Sequence, residues 1–520
     1  MTNVERAHEV ISRIRAHGVR DFCVCAGSRN SPLLAALSTI HDVHLYSFVD
    51  ERAASFFALG RAKRDGLPVA VVTTSGTAVA ELLPAAVEAH YSGAPLVLLT
   101  ADRPARFRGS GAPQAIEQDG IFGVYAERDP DAWTKTRPLH VNIEFDEPLL
   151  GAEDFGSEQP ALSTHDSWSA GFQPAGPAAS SRRTEPPVNL PFRQPLVLLG
   201  ALRAEDRERA LEFALAYGAT VYAEPLSGLR EERALASQIV LNERMLARGA
   251  FDGVIRIGGV PALRFWRDLD ETLGHIPIMH FGRSPFAGLT RGDVRSIDEL
   301  PATPAPVRRD DDYLSRDRIM AEQVAAVFDH EPQSEPALMR ALSRELPASS
   351  RVYLGNSLPI REWDLAATRE PRGFALEANR GANGIDGQLS TFFGWCKPRV
   401  ENVCVIGDLT ALYDLNAPWI CQQLNSGVRF RIIVVNNGGG RIFARVASLA
   451  PLDPAFRQRV IENEHSLRFD DWAAMWGIDY EWSGLVTPMT SEAGMRLVTE
   501  LTPDVEATQR AWAAYDELWR

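Results

Sequence analysis

Two stretches of the C-terminal third decide the fold: Val403-Cys404-Val405-Ile406-Gly407-Asp408-Leu409-Thr410 and Ile432-Ile433-Val434-Val435-Asn436-Asn437-Gly438-Gly439. Each begins with a continuous apolar run, which is typical of a strand buried on both faces of a parallel sheet. In both stretches polar residues follow directly where the strand ends. Because ligands gather beyond the carboxyl ends of parallel strands, we expect Asp408 and Asn437 at one edge of the sheet.

The residues at this edge are suited to holding a diphosphate and a metal ion. A helix expected from about Leu412 would turn its N-terminus toward the anion, because its free backbone N–H groups favour phosphate. The Asp408 carboxylate, the Asn437 amide oxygen and the Gly439 carbonyl would be metal ligands. Two diphosphate oxygens and a water would complete the octahedron of oxygens that Mg²⁺ prefers. The alternative is structural: Asp408 caps a helix and Asn437 shapes a turn.

The same alternation of apolar strands and helices runs through most of the chain. Strands are predicted at 21–25, 45–49, 69–73 and 96–99, at 195–199, 220–222, 253–257 and 276–280, and at 352–354, 403–406 and 430–435. Strands rich in continuous apolar residues and separated by helices predict an α/β protein with parallel sheets covered on both faces. We therefore expect three consecutive doubly wound parallel-sheet domains.

The length of the chain also requires several domains, since 520 residues are too many for one hydrophobic core. The predicted division is a first domain at 1–150, a linker at 151–191, a middle α/β domain at 192–330 and a last domain at 331–520. The linker is predicted from its crowding with Pro, Gly, Ser and Ala and its few apolar clusters.

Composition excludes several classes of function. A formal net charge of -14 argues against a general nucleic-acid binder, which needs a basic footprint. No apolar run reaches the roughly 18 to 20 residues that a membrane span needs, and the N-terminus lacks the apolar core of a signal peptide. Five cysteines without metal-binding spacing fit a reducing compartment. We expect a cytoplasmic protein.

The two opening stretches resemble the thiamine-diphosphate motif of that enzyme superfamily, with Leu409 where many members have glycine. A P-loop, a complete GxGxxG and a GxSxG elbow are absent. Thiamine chemistry needs a carboxylate against N1′ of the aminopyrimidine, and Glu51, at the end of the second predicted strand, is the candidate. Burial would raise its pKa and suit it to proton relay. Alternatively, Asp50 and Glu51 only favour a helix N-terminus.

Further motifs resemble a single family within that superfamily. They are Gly27-Ser28-Arg29-Asn30-Ser31-Pro32-Leu33, Asp50-Glu51-Arg52-Ala53-Ala54-Ser55-Phe56-Phe57, Thr73-Thr74-Ser75-Gly76-Thr77-Ala78, Leu99-Thr100-Ala101-Asp102-Arg103-Pro104, Gly355-Asn356-Ser357-Leu358 and Asn379-Arg380-Gly381-Ala382-Asn383-Gly384-Ile385-Asp386-Gly387. In this order they are similar to the 2-succinyl-5-enolpyruvyl-6-hydroxy-3-cyclohexene-1-carboxylate (SEPHCHC) synthases of menaquinone biosynthesis, the MenD family. The resemblance covers the first and last blocks well, and the middle block by position and size.

This resemblance implies decarboxylation of 2-oxoglutarate on thiamine diphosphate, with Mg²⁺ or Mn²⁺ as the metal. Conjugate addition of the succinyl carbanion equivalent to isochorismate would follow. The first domain would bind the pyrimidine and the last the diphosphate. The family's active site lies between two subunits, so Glu51 of one chain would meet Asp408 of another in a homodimer or homotetramer.

The resemblance also implies a set of site residues. Both substrates carry two carboxylates, which favours a pocket rich in arginine and hydrogen-bond donors. The substrate-binding positions are Ser28, Arg29, Arg103, Gln114, Arg264, Ser357, Arg361, Arg380 and Phe443. Arg29, Gln114, Arg361 and Arg380 would be catalytic together with Glu51. The cofactor would contact Glu51, Thr77, Ile385, Gly407, Asp408, Leu409, Thr410, Asn437, Gly439 and Gly440, and the metal Asp408, Asn437 and Gly439. Core packing is the alternative for Ile385 and Phe443.

Two other functions stay open at this point. One is another thiamine-diphosphate 2-oxoacid decarboxylase or carboligase, although many decarboxylases use adjacent histidines and this chain has no His-His pair. The other is a non-catalytic nucleotide-binding α/β protein, which would need neither Glu51 nor the arginines.

Overall fold

The computed structural model describes residues 1–151, 188–489 and 494–520. Its strands form three parallel sheets of five, five and six strands in succession along the chain. The predicted α/β class with three consecutive parallel sheets is therefore confirmed. The predicted linker falls almost entirely on residues 152–187, outside the described part of the chain. Within the described ranges, none of the helices combines the length and the apolar character that crossing a bilayer demands.

The first sheet has the strand order β2-β1-β3-β4-β5. Its strands are β1 (Asp21–Cys25), β2 (His44–Phe48), β3 (Val69–Thr73), β4 (Leu96–Asp102) and β5 (Leu139–Glu144), and its helices are α1 (Asn3–Ala16), α2 (Ser31–Ser38), α3 (Glu51–Asp65), α4 (Thr77–Ala80) and α5 (Leu83–Ser92). Every residue of β3 and β4 is buried, as expected for central strands with both faces covered.

The second sheet has the order β10-β9-β8-β6-β7. It consists of β6 (Leu196–Leu199), β7 (Thr220–Ala223), β8 (Val254–Ile257), β9 (Ile278–Gly282) and β10 (Val294–Ser296), with helices α6 (Ala204–Tyr217) and α7 (Arg264–Asp268). The long helix α8 (Asp311–His330) follows. Its first turn packs into the core of this sheet through Tyr313 and Leu314. Val324 and Phe328 pack instead against the C-terminal block, residues 331–520, at Ala337, Ala366 and Tyr515.

The third sheet has the order β12-β11-β13-β14-β16-β15. Its strands are β11 (Arg351–Leu354), β12 (Ala375–Glu377), β13 (Glu401–Gly407), β14 (Arg429–Val435), β15 (Asp479–Ser483) and β16 (Arg496–Leu501). Its helices are α9 (Glu335–Glu345), α10 (Leu358–Ala366), α11 (Gln388–Trp395), α12 (Asp408–Tyr413), α13 (Pro454–Phe456), α14 (Asp470–Met475) and α15 (Val505–Glu517). β13 and β14 pair in register from Glu401 with Arg429 to Gly407 with Val435. The residues that follow them therefore share one edge.

The strands missed from the sequence are mainly those at or near the sheet edges. β5 and β15 alternate polar with apolar residues, because an edge strand is covered less completely than a central one. One boundary was wrong: the helix expected from about Leu412 begins at Asp408 and ends at Tyr413. Gly407 has extended backbone angles, φ -78 and ψ 164, so the helix starts directly at the strand end.

Helices α3 and α11 join the first and third sheets with their backbones almost in contact. A Cβ atom on Gly60 would lie 2.0 Å from the Thr391 carbonyl oxygen, and one on Gly394 would lie 2.1 Å from the Phe57 carbonyl oxygen. Both closest atoms belong to backbone, which cannot move aside as a side chain can. The two glycines therefore permit a crossing that fixes α3, and with it Glu51, relative to the C-terminal block.

Candidate active site

Glu51 is the first residue of α3, at the carboxyl edge of the first sheet. The preceding Asp50 caps the helix by accepting a hydrogen bond from the Ala53 backbone N–H at 2.9 Å. Glu51 is half-buried. Burial raises the pKa of Glu51; a backbone N–H bond opposes this rise, and the charges of Asp50 and Glu81 add to it. A raised pKa is the direction that a proton relay requires.

Loops from three parts of the first sheet pack together beside Glu51. A Cβ on Gly27 would lie 2.6 Å from Cβ of Thr74, so the loops after β1 and β3 touch. Gly76 has φ +88, and a Cβ there would lie 3.2 Å from Cα of Gln114. The Gly76 N–H also donates to Oε1 of Gln118 at 3.0 Å. Three predicted site residues are exposed at this edge: Ser28, Thr77 and Gln114.

The two arginines predicted at the same edge are engaged within the chain. The Arg29 guanidinium is buried, donates to the Phe145 carbonyl at 3.0 Å and lies 3.2 Å from the Glu147 carboxylate. The Arg103 guanidinium stacks 5.1 Å from the centre of the Phe107 ring. Their charges are thus placed at the sheet edge, but each already has a partner.

Asp408 lies at the centre of a second group, at the carboxyl edge of the third sheet. Its Oδ2 accepts the Gly439 N–H at 2.9 Å and lies 3.4 Å from Nε2 of His465, and its Oδ1 accepts the Leu409 N–H at 2.6 Å. Burial raises the pKa of Asp408, while these N–H groups and the charge of His465 act to lower it. Thr410 is buried in the first turn of α12.

The glycine run after Asn437 is bent closely around this carboxylate. Gly439 has φ +135, and a Cβ there would lie 2.6 Å from the Glu462 carbonyl oxygen. The next N–H, of Gly440, donates to the same carbonyl at 2.5 Å. The Gly439 carbonyl accepts the Arg441 N–H at 2.9 Å. A side chain at Gly439 would therefore be both strained and blocked.

Asn437 presents an oxygen without a partner. Its Nδ2 donates to both carboxyl oxygens of Glu335, at 3.1 and 2.9 Å. Its Oδ1 is buried, and no group in the described ranges donates to it. A buried polar atom left in this way is costly unless a ligand or ion satisfies it. An Mg²⁺ ion would do so, and the adjoining Asp408 and Gly439 supply the further oxygens that such an ion needs.

The donor set accordingly fits a shared magnesium–diphosphate site rather than a metal site made of protein side chains. In the described part of the chain, no three His, Cys, Asp or Glu side chains gather as ligands. One carboxylate, one amide oxygen and one carbonyl suffice where phosphate oxygens complete the shell. Arg361 and Arg380 lie outside this group of oxygen ligands.

Arg361 and Arg380 line a cleft between the second and third sheets, together with Glu224 and Leu263. Nη1 of Arg380 donates to Oδ1 of the buried Asn356 at 2.7 Å. Burial lowers the pKa of Arg380, with Glu224 acting to raise it. Burial also raises the pKa of Glu224 to about 8.

Ser357, beside this cleft, adopts a left-handed conformation with φ 72 at the start of α10. Its carbonyl accepts Nη1 of Arg361 at 2.5 Å. This hydrogen bond fixes the direction of the exposed Arg361 side chain. The cleft thus brings together two of the predicted arginines, and Ser357 contacts one of them.

The remaining predicted residues lie apart from these groups. Arg264 is exposed on α7, with Nε 2.6 Å from the Asp268 carboxylate, and it does not line the cleft that its neighbour Leu263 lines. Ile385 is half-buried in the loop before α11. Phe443 is 38% exposed, on a turn after the glycine run.

Within one chain the two sheet edges remain separate. Asp50 accepts a hydrogen bond from the Asn416 amide, and Arg52 donates to the Tyr413 carbonyl at 3.0 Å. These contacts lie at and beyond the C-terminal end of α12, whereas Asp408 begins that helix. Among the described residues, no hydrogen bond or ion pair links Glu51 to Asp408 or Asn437.

Sequence reasoning missed three titratable groups around the site. They are Glu224, Glu335 and His465. Glu335 is 3% exposed. Each is an ordinary helix, strand-end or loop residue in sequence, and only the proximity of distant segments makes it part of the site.

Comparisons with known proteins agree with this geometry. Residues 5–121 match the family model described as "Thiamine pyrophosphate enzyme, N-terminal TPP binding domain". The chain is 41% identical to a protein of Bdellovibrio bacteriovorus named 2-succinyl-5-enolpyruvyl-6-hydroxy-3-cyclohexene-1-carboxylate synthase, over 100% of both chains. Proteins of the same name from Akkermansia muciniphila and Halobacterium salinarum are 36% and 31% identical, over 95% and 97% of this chain and 95% and 96% of theirs.

Proposed function

The chain belongs to the SEPHCHC synthase family, and we propose that it joins 2-oxoglutarate and isochorismate in menaquinone biosynthesis, using thiamine diphosphate and Mg²⁺. In this reaction 2-oxoglutarate loses CO₂ and the remaining succinyl unit adds to isochorismate. The observation that carries the proposal is the unpartnered Oδ1 of Asn437 beside Asp408 and Gly439. It supports a cation site at the sheet edge where diphosphates bind.

We assign the diphosphate and the metal to the third sheet. Asp408, Asn437 and the Gly439 carbonyl would hold Mg²⁺, for which Mn²⁺ could substitute. Residues at the strand ends would hold the diphosphate, and Thr77 and Ile385 would contact the rest of the cofactor. The diphosphate-holding residues are Gly407, Leu409, Thr410 and Gly440. When bound, thiamine diphosphate supplies the electron sink that 2-oxoacid decarboxylation requires.

The role of Glu51 is to hold and move a proton at N1′ of the aminopyrimidine. Its partial burial raises the pKa of its carboxyl group, which is the direction that a proton relay requires. The neighbouring edge residues Ser28 and Gln114 are exposed hydrogen-bonding groups that would face the substrates. Arg29 and Arg103 would contribute once their present partners, Glu147 and Phe107, are displaced or shared.

The cleft between the second and third sheets would bind substrate carboxylates. Arg361 and Arg380 supply two positive charges, and Ser357, whose carbonyl accepts from Arg361, would add a hydroxyl. The pKa of Glu224 is about 8, raised by burial, so this carboxyl is mostly neutral at pH 7 and does not repel an anion. Phe443 would wall the isochorismate side. Arg264 would contribute its positive charge while it stays paired with Asp268.

We propose that the working enzyme is at least a homodimer, with each active site built from two chains. Glu51 has no link to Asp408 within its own chain, and its helix is fixed in place by the α3–α11 crossing. The first sheet of a partner subunit would bring a Glu51 carboxylate to Asp408.

The domains would divide the cofactor between them. The first sheet, within 1–150, would bind the pyrimidine, 192–330 would be the middle domain, and 331–520 would bind the diphosphate. Five free, buried cysteines support a cytoplasmic location.

One assay tests the activity. The purified chain is incubated with thiamine diphosphate, Mg²⁺, 2-oxoglutarate and isochorismate, while isochorismate loss and CO₂ release are followed together. We expect equal amounts of the two, with both dependent on added cofactor. Turnover of pyruvate in place of 2-oxoglutarate would show a different thiamine enzyme, and a lack of turnover with either would refute the proposal.

A further inference from the structure

Glu335 lies directly behind the residues that would hold the metal. It is the first residue of α9 and is 3% exposed. It is far in sequence from the cradle, the group formed by Asp408, Asn437 and Gly439. Acidic residues in the first turn of a helix are usually at the surface, where they favour the helix dipole without losing water. A carboxylate buried here must be offset by specific contacts. The Asn437 amide supplies two of them, at 3.1 and 2.9 Å.

These contacts decide which end of the Asn437 amide faces the cradle. Both carboxyl oxygens of Glu335 accept from the NH₂ end of the amide, so the oxygen end points away from Glu335. That oxygen is the buried Oδ1 without a partner. The backbone of Asn437 is held too, since its carbonyl accepts Nε of Arg441 at 3.1 Å.

The amide would not adopt this orientation by default. Asp408 and a diphosphate are both hydrogen-bond acceptors, and each would attract the NH₂ end of a freely rotating amide. With NH₂ inward, Asn437 could not bind a cation, because only its oxygen is a ligand. An acceptor on the opposite side is therefore needed to hold the NH₂ group outward, and Glu335 is that acceptor.

Resting on the proposed cofactor site, we propose that Glu335 is a positioning residue that locks the Asn437 amide with its oxygen toward the metal. It does not touch the metal itself. Groups that orient a ligand in this way commonly change metal affinity by about 10- to 100-fold when they are removed. The chain also offers a matched control: Glu362 is equally buried, and no donor in the described ranges reaches either of its carboxyl oxygens.

The test measures Mn²⁺ binding to the full chain with thiamine diphosphate present, by electron paramagnetic resonance of the free ion. Glu335→Gln keeps the size of the side chain but offers both a donor and an acceptor, so it no longer selects one amide orientation. We expect Mn²⁺ binding to weaken by about 10-fold or more in Glu335→Gln and by less than about 2-fold in the control Glu362→Gln. Thermal unfolding of each variant checks that it is folded.

A second background separates orientation from general packing. Asn437→Asp has two equivalent oxygens, so orientation no longer matters there, and the amide introduced by Glu335→Gln can donate to the new carboxylate. Adding Glu335→Gln to Asn437→Asp should therefore leave Mn²⁺ binding unchanged or strengthen it, the opposite of its effect beside Asn437. Equal weakening in both backgrounds, or no weakening in either, overturns the proposal. A wild-type chain that binds no Mn²⁺ with the cofactor overturns the metal site itself.

Discussion

Glu51 and Arg380 show how burial prepares single side chains for opposite tasks. Burial disfavours the charged form of both, so it raises the pKa of the acid and lowers that of the guanidinium. A raised pKa shifts an acid toward the neutral pH at which a proton relay works. An arginine with a lowered pKa remains charged, and a poorly solvated cation binds carboxylates strongly.

The first prediction concerns proton relay. Glu51→Gln should reduce kcat by about 100-fold or more, the scale of general acid–base catalysis, because the amide cannot exchange the proton at N1′. Binding of thiamine diphosphate, measured by calorimetry with Mg²⁺, should change little. Glu51→Asp keeps the acid one methylene shorter and should retain part of the activity. A Gln variant with near-normal turnover would assign Glu51 to helix capping alone.

The second prediction concerns the arginine cleft. Arg380→Ala should raise the KM for the carboxylate substrates by about 10- to 100-fold, since a hydrogen bond to a charged group contributes about 1.5–3 kcal/mol. Steady-state kinetics with each substrate varied in turn measures this. Arg267→Ala removes an exposed charge on α7 that pairs with Glu271 and should leave both KM values unchanged. An unchanged KM in Arg380→Ala would contradict the assigned role of the cleft.

At the scale of elements, the α3–α11 crossing matters most, because it fixes the helix that carries Glu51 against the third sheet's helices. Helix pairs approach this closely only where glycine removes the side chain. The loop of Gly381 and Ala382 is tied to the same region, since Glu88 on α5 accepts both of their N–H groups, at 2.8 and 2.6 Å. The loop carrying Arg380 is thus held by the first sheet as well as by Asn356.

The third prediction follows from that crossing. Gly60→Ala should destabilise the protein by about 1–3 kcal/mol, the usual effect of overpacking, because its Cβ would meet a carbonyl oxygen. Chemical denaturation, or a fall of several degrees in Tm, would show it. Gly274→Ala is the control, since its Cβ would meet nothing closer than 3.8 Å. A neutral or stabilising Gly60→Ala would mean that the helices can separate freely.

The fourth prediction concerns β5, where His140 is buried with Nε2 2.9 Å from Oγ1 of Thr100. Burial lowers the pKa of His140 to about 4, below the roughly 6.5 of an unfolded chain. As pH falls from about 6.5 to 4, the unfolded chain therefore takes up the proton first, and stability is lost over that window. The contribution of His140 to the free energy of unfolding should fall by about 3 kcal/mol by pH 4.

Unfolding of wild type and His140→Gln at pH 7.5 and 5 measures this effect. The difference in stability between the two pH values should be smaller in the variant, whatever its stability at pH 7.5. An equal pH difference in both proteins would show that His140 is not the group that titrates.

At the scale of the whole molecule, the second sheet builds the cleft by docking on the third. Arg230, fully buried, donates to the Thr368, Asp364 and Ala367 carbonyls at 2.9, 3.0 and 3.0 Å. The Tyr222 hydroxyl donates to the Asp364 carboxylate at 2.6 Å. This contact brings Glu224 and Leu263 to the arginines of the third sheet. The second sheet thereby shapes the cleft that we propose as the substrate pocket.

The fifth prediction tests the shared active site. Glu51→Gln and Asp408→Ala chains should each be nearly inactive alone. Co-expressed in equal amounts, they should regain about a quarter of wild-type activity, because half of randomly formed dimers are mixed and each has one intact site. Tagged subunits allow the mixed species to be isolated. Mixed dimers without activity would place both residues in the same chain's site.

Much of this organisation could be predicted from the chain because it depends on local pattern. Continuous apolar runs followed by polar residues correctly indicated the parallel sheets and placed Asp408 and Asn437 at one edge. Edge strands such as β5 and β15 were missed, since partial covering weakens their apolar signal. The start of α12 was misplaced because Gly407 lets a helix follow the strand without a connecting loop.

The amino-acid order thus settled the fold class, the cradle motif and the family, because these depend on residues close together in sequence. The burial of Glu335 behind Asn437 and the pairing of Arg29 with Glu147 depended on packing between distant segments. Such contacts leave no local pattern, since each is created by where two separate elements meet. For the same reason, no local pattern shows that Glu51, at the start of α3, and Asp408, at the start of α12, lie at two different sheet edges.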